Sequence, residues 1–153
     1  MPDINDPAPD FTLPRDGGET LTLSALRPAP VVLFFYPKDN TPGCTREASE
    51  FSARIADFDA AGVRVVGISK DSVKSHDRFI AKHALAMPLV SDEHGTTCED
   101  YGTWVEKSMY GKTYFGIERT TFLIDGAGRI ARVWRKVKVP GHVQEVLEAV
   151  RAL

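Results

Sequence analysis

The chain has 153 residues, 42% of them hydrophobic and 26% charged, with a formal net charge of −2 at pH 7. That length fits one domain, residues 1–153, with a real core, and the hydrophobic share excludes disorder. The acidic balance excludes the basic surface of a nucleic-acid binder, and the longest apolar run, Val31 to Tyr36, is far too short to cross a membrane.

The chain opens on Met-Pro-Asp-Ile-Asn-Asp, which lacks the basic start and apolar stretch of a signal peptide. Two cysteines, Cys44 and Cys98, make no disulfide framework, so the expected setting is the reducing cytoplasm. Phe11–Leu13 and Leu21–Leu23, joined by Asp16-Gly17-Gly18, predict an N-terminal β-hairpin. Val31–Tyr36 is continuously apolar, as in a parallel strand buried on both faces.

From Pro42 to Ala60 the pattern turns helical. Cys44, Ala48, Phe51, Ile55 and Phe58 share one face, and Gly62 closes the helix. Val63–Ile68 predicts a second buried strand. A second helix is expected over Ser72–Leu85, with Val73, His76, Phe79, Ile80 and His83 on one side and both histidines satisfied at its surface. Met87–Val90 predicts a third short strand, and a short helix is expected after Gly95. Two strands follow, Arg119–Ile124 and Arg129–Arg135, around the turn Asp125–Gly128. The last helix is expected to hold Pro140 in its first turn, with Val143, Val146, Leu147, Val150 and Leu153 inward. Arg129, Arg132, Arg135, Lys136 and Lys138 read as a solvated sheet face. The order β-α-β-α-β, hairpin, helix predicts an α/β fold with a central sheet covered on both faces.

The chemistry concentrates in Pro37-Lys38-Asp39-Asn40-Thr41-Pro42-Gly43-Cys44-Thr45, where a buried strand ends and a helix begins. Sites in α/β folds form at the carboxyl ends of strands. With Thr41 as N-cap and Pro42 at N1, Cys44 falls at N3. The first N–H groups of a helix lack partners within it and carry partial positive charge. A thiolate there is stabilised, and the thiolate is the nucleophile. Thr41 sets a hydroxyl one turn earlier. A zinc site has no second ligand at a familiar spacing, and a dithiol oxidoreductase would need a cysteine where Glu47 stands.

Pro37-x-x-x-Thr41-x-x-Cys44 resembles the active-site signature of the peroxiredoxins. The run through Glu47 and Ala48 resembles their bacterioferritin comigratory protein, or peroxiredoxin Q, branch. The resemblance continues through Ala8-Pro9-Asp10-Phe11, Val66–Asp71, Leu89–Glu93, Tyr101-Gly102, Lys107–Lys112 and Arg119–Asp125, in order over nearly the whole chain. It implies a thioredoxin-like fold with a mixed sheet, and a peroxidase that needs no cofactor or metal. Hydroperoxide would be the substrate, and thioredoxin or another thiol the reductant. It also implies a monomer as default, with a dimer as the alternative, while the charge and the short apolar runs predict no nucleic-acid or membrane partner.

Carried over by position, Cys44 resembles the peroxidatic cysteine, Thr41 the peroxide-binding hydroxyl, Pro37 the residue shaping the loop, and Arg119 the active-site arginine. Gly43 completes the motif. Glu47, one turn after Cys44, is placed to orient Arg119. The branch's nearby resolving cysteine is absent, since that position is Ser49, and the following helix has none at Phe79-Ile80-Ala81. Cys98 reads either as core filling or as a resolving cysteine. A non-catalytic peroxide sensor or holdase on the same fold is the alternative function.

Overall fold

The computed structural model describes residues 2–153. Its core is a five-stranded sheet. Strand β3 (Val31–Phe35) lies at its centre, β4 (Arg64–Ser69) and β5 (Leu89–Ser91) extend it on one side, and β8 (Thr120–Ile124) and β9 (Ile130–Trp134) on the other. β4 pairs with β3 and β5 in parallel, whereas β8 is antiparallel to β3 and β9. All five residues of β3 are buried. Each large apolar side chain so buried contributes about 1.5–3 kcal/mol relative to exposure.

Alternation along β3 divides the core in two, because successive side chains point to opposite faces. Val32, Phe34 and Tyr36 face helices α1 (Pro42–Ala53), α2 (Ile55–Ala60), α3 (Val73–His83) and α5 (His142–Arg151). Val31, Leu33 and Phe35 face the N-terminal segment and the short helix α4 (Thr97–Asp100). The expected N-terminal hairpin is β1 (Thr12–Pro14) with β2 (Thr20–Thr22), joined through a 3-10 turn at Asp16–Gly18. The α/β, thioredoxin-like expectation therefore holds, with a hairpin and one short helix rather than long helices on the second face.

Several local expectations are corrected. The helix expected over Pro42–Ala60 breaks at Arg54 (φ −107°, ψ 9°), whose N–H turns back to the Phe51 carbonyl at 3.1 Å. Phe58 on α2 then packs on Phe51 with ring centroids 5.9 Å apart. Pro140 lies outside α5, because Gly141 at φ +78° separates it from the helix. Leu153 falls beyond the helix end and is 59% exposed. Arg135 is half-buried, with its guanidinium over the Phe122 ring, while the rest of the basic cluster is exposed. His76 is fully buried rather than at the helix surface, and His142 is buried against Thr121.

A third hairpin, beside β1–β2 and β8–β9, was not anticipated. β6 (Trp104–Met109) pairs with β7 (Lys112–Ile117) around Tyr110 and Gly111, both at positive φ, which is the backbone of a tight hairpin turn. Among the described residues, no helix is long and apolar enough to cross a membrane.

Candidate active site

The register of the central strands assembles the site. Thr120 pairs with Phe35, so Arg119, one residue earlier, falls beside the loop that leaves β3. The loop ends at Thr41, the N-cap of α1 in extended conformation, with Pro42 at N1. Thr45 N–H bonds to the Thr41 carbonyl at 2.9 Å and closes the first turn around Cys44. Cys44 is 1% exposed.

Arg119 joins the side chains. Its Nη2 donates to Cys44 Sγ at 3.4 Å and its Nη1 to Glu47 Oε1 at 2.8 Å. Gly43 makes room for this fork, because a Cβ there would meet Nη2 at 3.2 Å. Glu47 is fully buried, and among the described residues its Oε2 has no partner. Burial pushes the Glu47 carboxyl up to about 7, against the lowering influence of Arg119. The guanidinium itself is held above its ordinary range: burial works against it, and the charges of Glu47 and Cys44 outweigh burial. A fixed cation with two forked donors beside a sulfur can stabilise a thiolate and a developing oxyanion.

Thr41 Oγ1 donates to the Lys38 carbonyl at 2.8 Å. Its proton is thereby committed, and its lone pairs are left to accept from a ligand. Pro37 lines a groove of about 340 Å³ together with Trp104, Lys107, Tyr114 and Phe115. Trp104, Tyr114 and Phe115 thus form an aromatic wall of this groove, and Phe115 is 59% exposed. Sequence reasoning missed Lys107 as a charged neighbour of the site. Burial and then the Arg119 charge push its ammonium down, while the Cys44 thiolate acts the other way. Only the unrecognised β6–β7 hairpin brings it there.

Cys98 is not brought to this site. It packs with Val31, Leu33 and Phe35, whereas Cys44 packs with Val32, Phe34 and Tyr36, so the sheet lies between them. Burial and the Asp92 carboxylate push the Cys98 thiol well up. Its backbone N–H donates to Asp92 Oδ2 at 2.8 Å, and its carbonyl accepts from Thr103. Among the described residues, one set of possible metal-ligating atoms gathers within 4.8 Å: Asp39, Asp71 and His76. Protein partners already engage each of them.

The chain matches the AhpC/TSA family model over residues 4–133. It is 54% identical over 145 residues to a putative peroxiredoxin bcp of Coxiella burnetii, covering 95% of this chain and 96% of that one. It is 49% identical over 148 residues to peroxiredoxin Bcp of Xanthomonas campestris, covering 95% and 92%. Among solved structures, a cysteine-to-serine mutant of PrxQ from Xylella fastidiosa superposes with a TM-score of 0.94 at 43% identity, covering 99% of this chain and 97% of that one. A bacterioferritin comigratory protein from Xanthomonas campestris, studied for alkyl peroxide reduction, superposes with a TM-score of 0.89 at 48% identity, covering 93% and 90%. With family, identity and fold in agreement, the chain belongs to the AhpC/TSA family and, within it, to the bacterioferritin comigratory protein (PrxQ) peroxiredoxins, which are thiol peroxidases.

Proposed function

We propose that Cys44 is the nucleophile of this peroxidase and that Thr41, Arg119, Pro37, Gly43 and Glu47 form its working site. The Cys44 thiolate attacks the nearer oxygen of a hydroperoxide. An S–O bond forms, the O–O bond breaks, and the leaving oxygen takes the electron pair and a proton to become water or an alcohol. Cys44 is left as a sulfenic acid. Thr41 Oγ1 accepts from the peroxide hydroxyl, Arg119 stabilises both the thiolate and the leaving oxygen, and Glu47 keeps the guanidinium in place. Pro37 and Gly43 shape the approach.

A thiol, from thioredoxin or another donor, then attacks the sulfenic sulfur. Water leaves, a mixed disulfide forms, and a second thiol releases Cys44 reduced. This reading takes hydrogen peroxide and organic hydroperoxides as substrates and needs no cofactor or metal. The chain acts as one domain, as a cytoplasmic monomer, without nucleic acid or membrane partners.

The observation that carries the reading is the Arg119 fork on Cys44 Sγ and Glu47 at the start of α1. It is tested by peroxide consumption with thioredoxin and thioredoxin reductase. Cys44→Ser should abolish turnover, and Cys98→Ser should retain the oxidation step. A wild-type protein that oxidises once without turning over would point instead to a sensor or holdase.

A further inference from the structure

A buried polar cluster lies under the loop that carries Pro37 and Thr41, and none of its bonds reaches Cys44. Asp39, 6% exposed, is its hub. Oδ1 accepts from Tyr36 Oη at 2.6 Å, and Oδ2 accepts from Ser75 Oγ at 2.8 Å. His76 Nδ1 lies 2.7 Å from the same Oδ2. The Asp39 backbone N–H donates to Asp71 Oδ2 at 2.9 Å. The next residue, Asn40, sits at φ +62°, a region that L residues rarely adopt. A turn of that kind needs to be held, and Asp39 ties it to β3, to α3 and to the segment after β4.

His76 supplies the charge that makes the hub tenable. Its Nε2 lies 2.9 Å from the Val90 carbonyl, which can only accept, so Nε2 carries a hydrogen. Its Nδ1 lies 2.7 Å from Oδ2 of a carboxylate whose two oxygens already accept from the Tyr36 and Ser75 hydroxyls, so the carboxylate faces the ring as an acceptor. The ring is therefore an imidazolium that donates on both sides. Burial alone would push that charge down; the Asp39 bond and charge, with the Val90 carbonyl and the Asp71 charge, outweigh it and hold the imidazolium above its ordinary range.

We propose that His76 and Asp39 are positioning residues for the peroxidase reaction: the His76 imidazolium on α3 holds the Asp39 carboxylate, and Asp39 fixes the loop that presents Pro37 and Thr41 to the substrate. This inference rests on Cys44 being the nucleophile. Two variants separate the imidazole contacts. The amide nitrogen of asparagine falls near Nδ1, so His76→Asn keeps the bond to Asp39 and loses the one to Val90. The amide nitrogen of glutamine falls near Nε2, so His76→Gln does the reverse. Each variant loses one hydrogen bond from the same buried site.

The test measures the rate of Cys44 oxidation by hydrogen peroxide and, in parallel, the rate of Cys44 alkylation by iodoacetamide, which does not use the peroxide contacts. His76→Gln should slow oxidation by about 10- to 100-fold, the equivalent of one charge-assisted hydrogen bond, with alkylation no slower than in wild type. His76→Asn should recover most of the oxidation rate. Equal oxidation rates in the two variants, or rates that follow melting temperature alone, would overturn the positioning role. If the glutamine variant does not fold, Tyr36→Phe decides, because it removes one donor to Asp39 and keeps the ring. A several-fold fall in oxidation supports the proposal and a wild-type rate overturns it. The wild-type control is independent: failure of wild-type Cys44 to take up oxygen would remove the reading of Cys44 itself, whichever way the variants rank.

Discussion

Arg119→Lys keeps the charge and removes the fork, which makes it an informative perturbation. One ammonium cannot occupy both the position 2.8 Å from Glu47 Oε1 and the position 3.4 Å from Cys44 Sγ. The carboxylate wins that competition. It is fully buried, its Oε2 has no donor among the described residues, and a buried charge left alone costs about 3–5 kcal/mol. Cys44 and the leaving oxygen therefore lose their donor. Losing one preorganised donor of this kind costs about 2.7–4 kcal/mol of barrier, or 10²–10³ in rate. Stopped-flow oxidation by hydrogen peroxide should show that fall, while urea unfolding shows stability within about 1 kcal/mol of wild type. Arg119→Ala should also lose stability, by about 1–2 kcal/mol at pH 8, where wild-type Glu47 is ionised and the variant's carboxyl escapes a lone buried charge at about 1.4 kcal/mol per pH unit above its wild-type value. That loss should shrink at pH 5.5, because the carboxyl, pushed up to about 7, can take a proton instead. A lysine variant that reacts at the wild-type rate would refute the reasoning.

Gly43→Ala should reduce the peroxide rate about tenfold, since the new Cβ meets Arg119 Nη2 at 3.2 Å and moves the guanidinium; a steady-state assay checks it, and an unchanged rate counts against the fork. Glu47→Gln should remove a pH dependence of stability. With its native value raised to about 7, Glu47 holds in the native state a proton that the unfolded chain releases, so wild-type stability falls as pH rises from the ordinary carboxyl value to about 7. Relative to the glutamine variant, wild type should lose up to about 3 kcal/mol over that window in urea titrations, and parallel curves would contradict the burial argument. Cys98→Ser should cost about 1–3 kcal/mol of stability by placing a hydroxyl in the core. Its oxidation by one equivalent of peroxide should keep the wild-type rate.

The parts of the fold and site that were legible are those where one residue pattern has one physical solution. The apolar run at Val31–Phe35 suits a strand buried on both faces, and Thr41-Pro42 suits a helix start, which sets Cys44 in its first turn; the structure has both. The signal failed where placement depends on the far side of the chain. His76 reads as a surface residue from α3 alone, because nothing within the helix shows that Asp39, in the loop after β3, waits for it. The β6–β7 hairpin was invisible because its strands are largely exposed, so no inward apolar alternation marks them, and Tyr110-Gly111 is a weak turn signal. The face on which Cys98 packs follows from the sheet's topology rather than from its neighbours in sequence.

The central claim is that Cys44 alone meets the peroxide and that Cys98, across the sheet, takes no part. It is tested most directly by mass spectrometry of the protein after one equivalent of hydrogen peroxide and a sulfenic-acid trap, digested without reduction. The account predicts the trap on the peptide containing Cys44 and an unmodified thiol on the peptide containing Cys98. A stoichiometric disulfide between the two peptides, or the trap on Cys98, would contradict it.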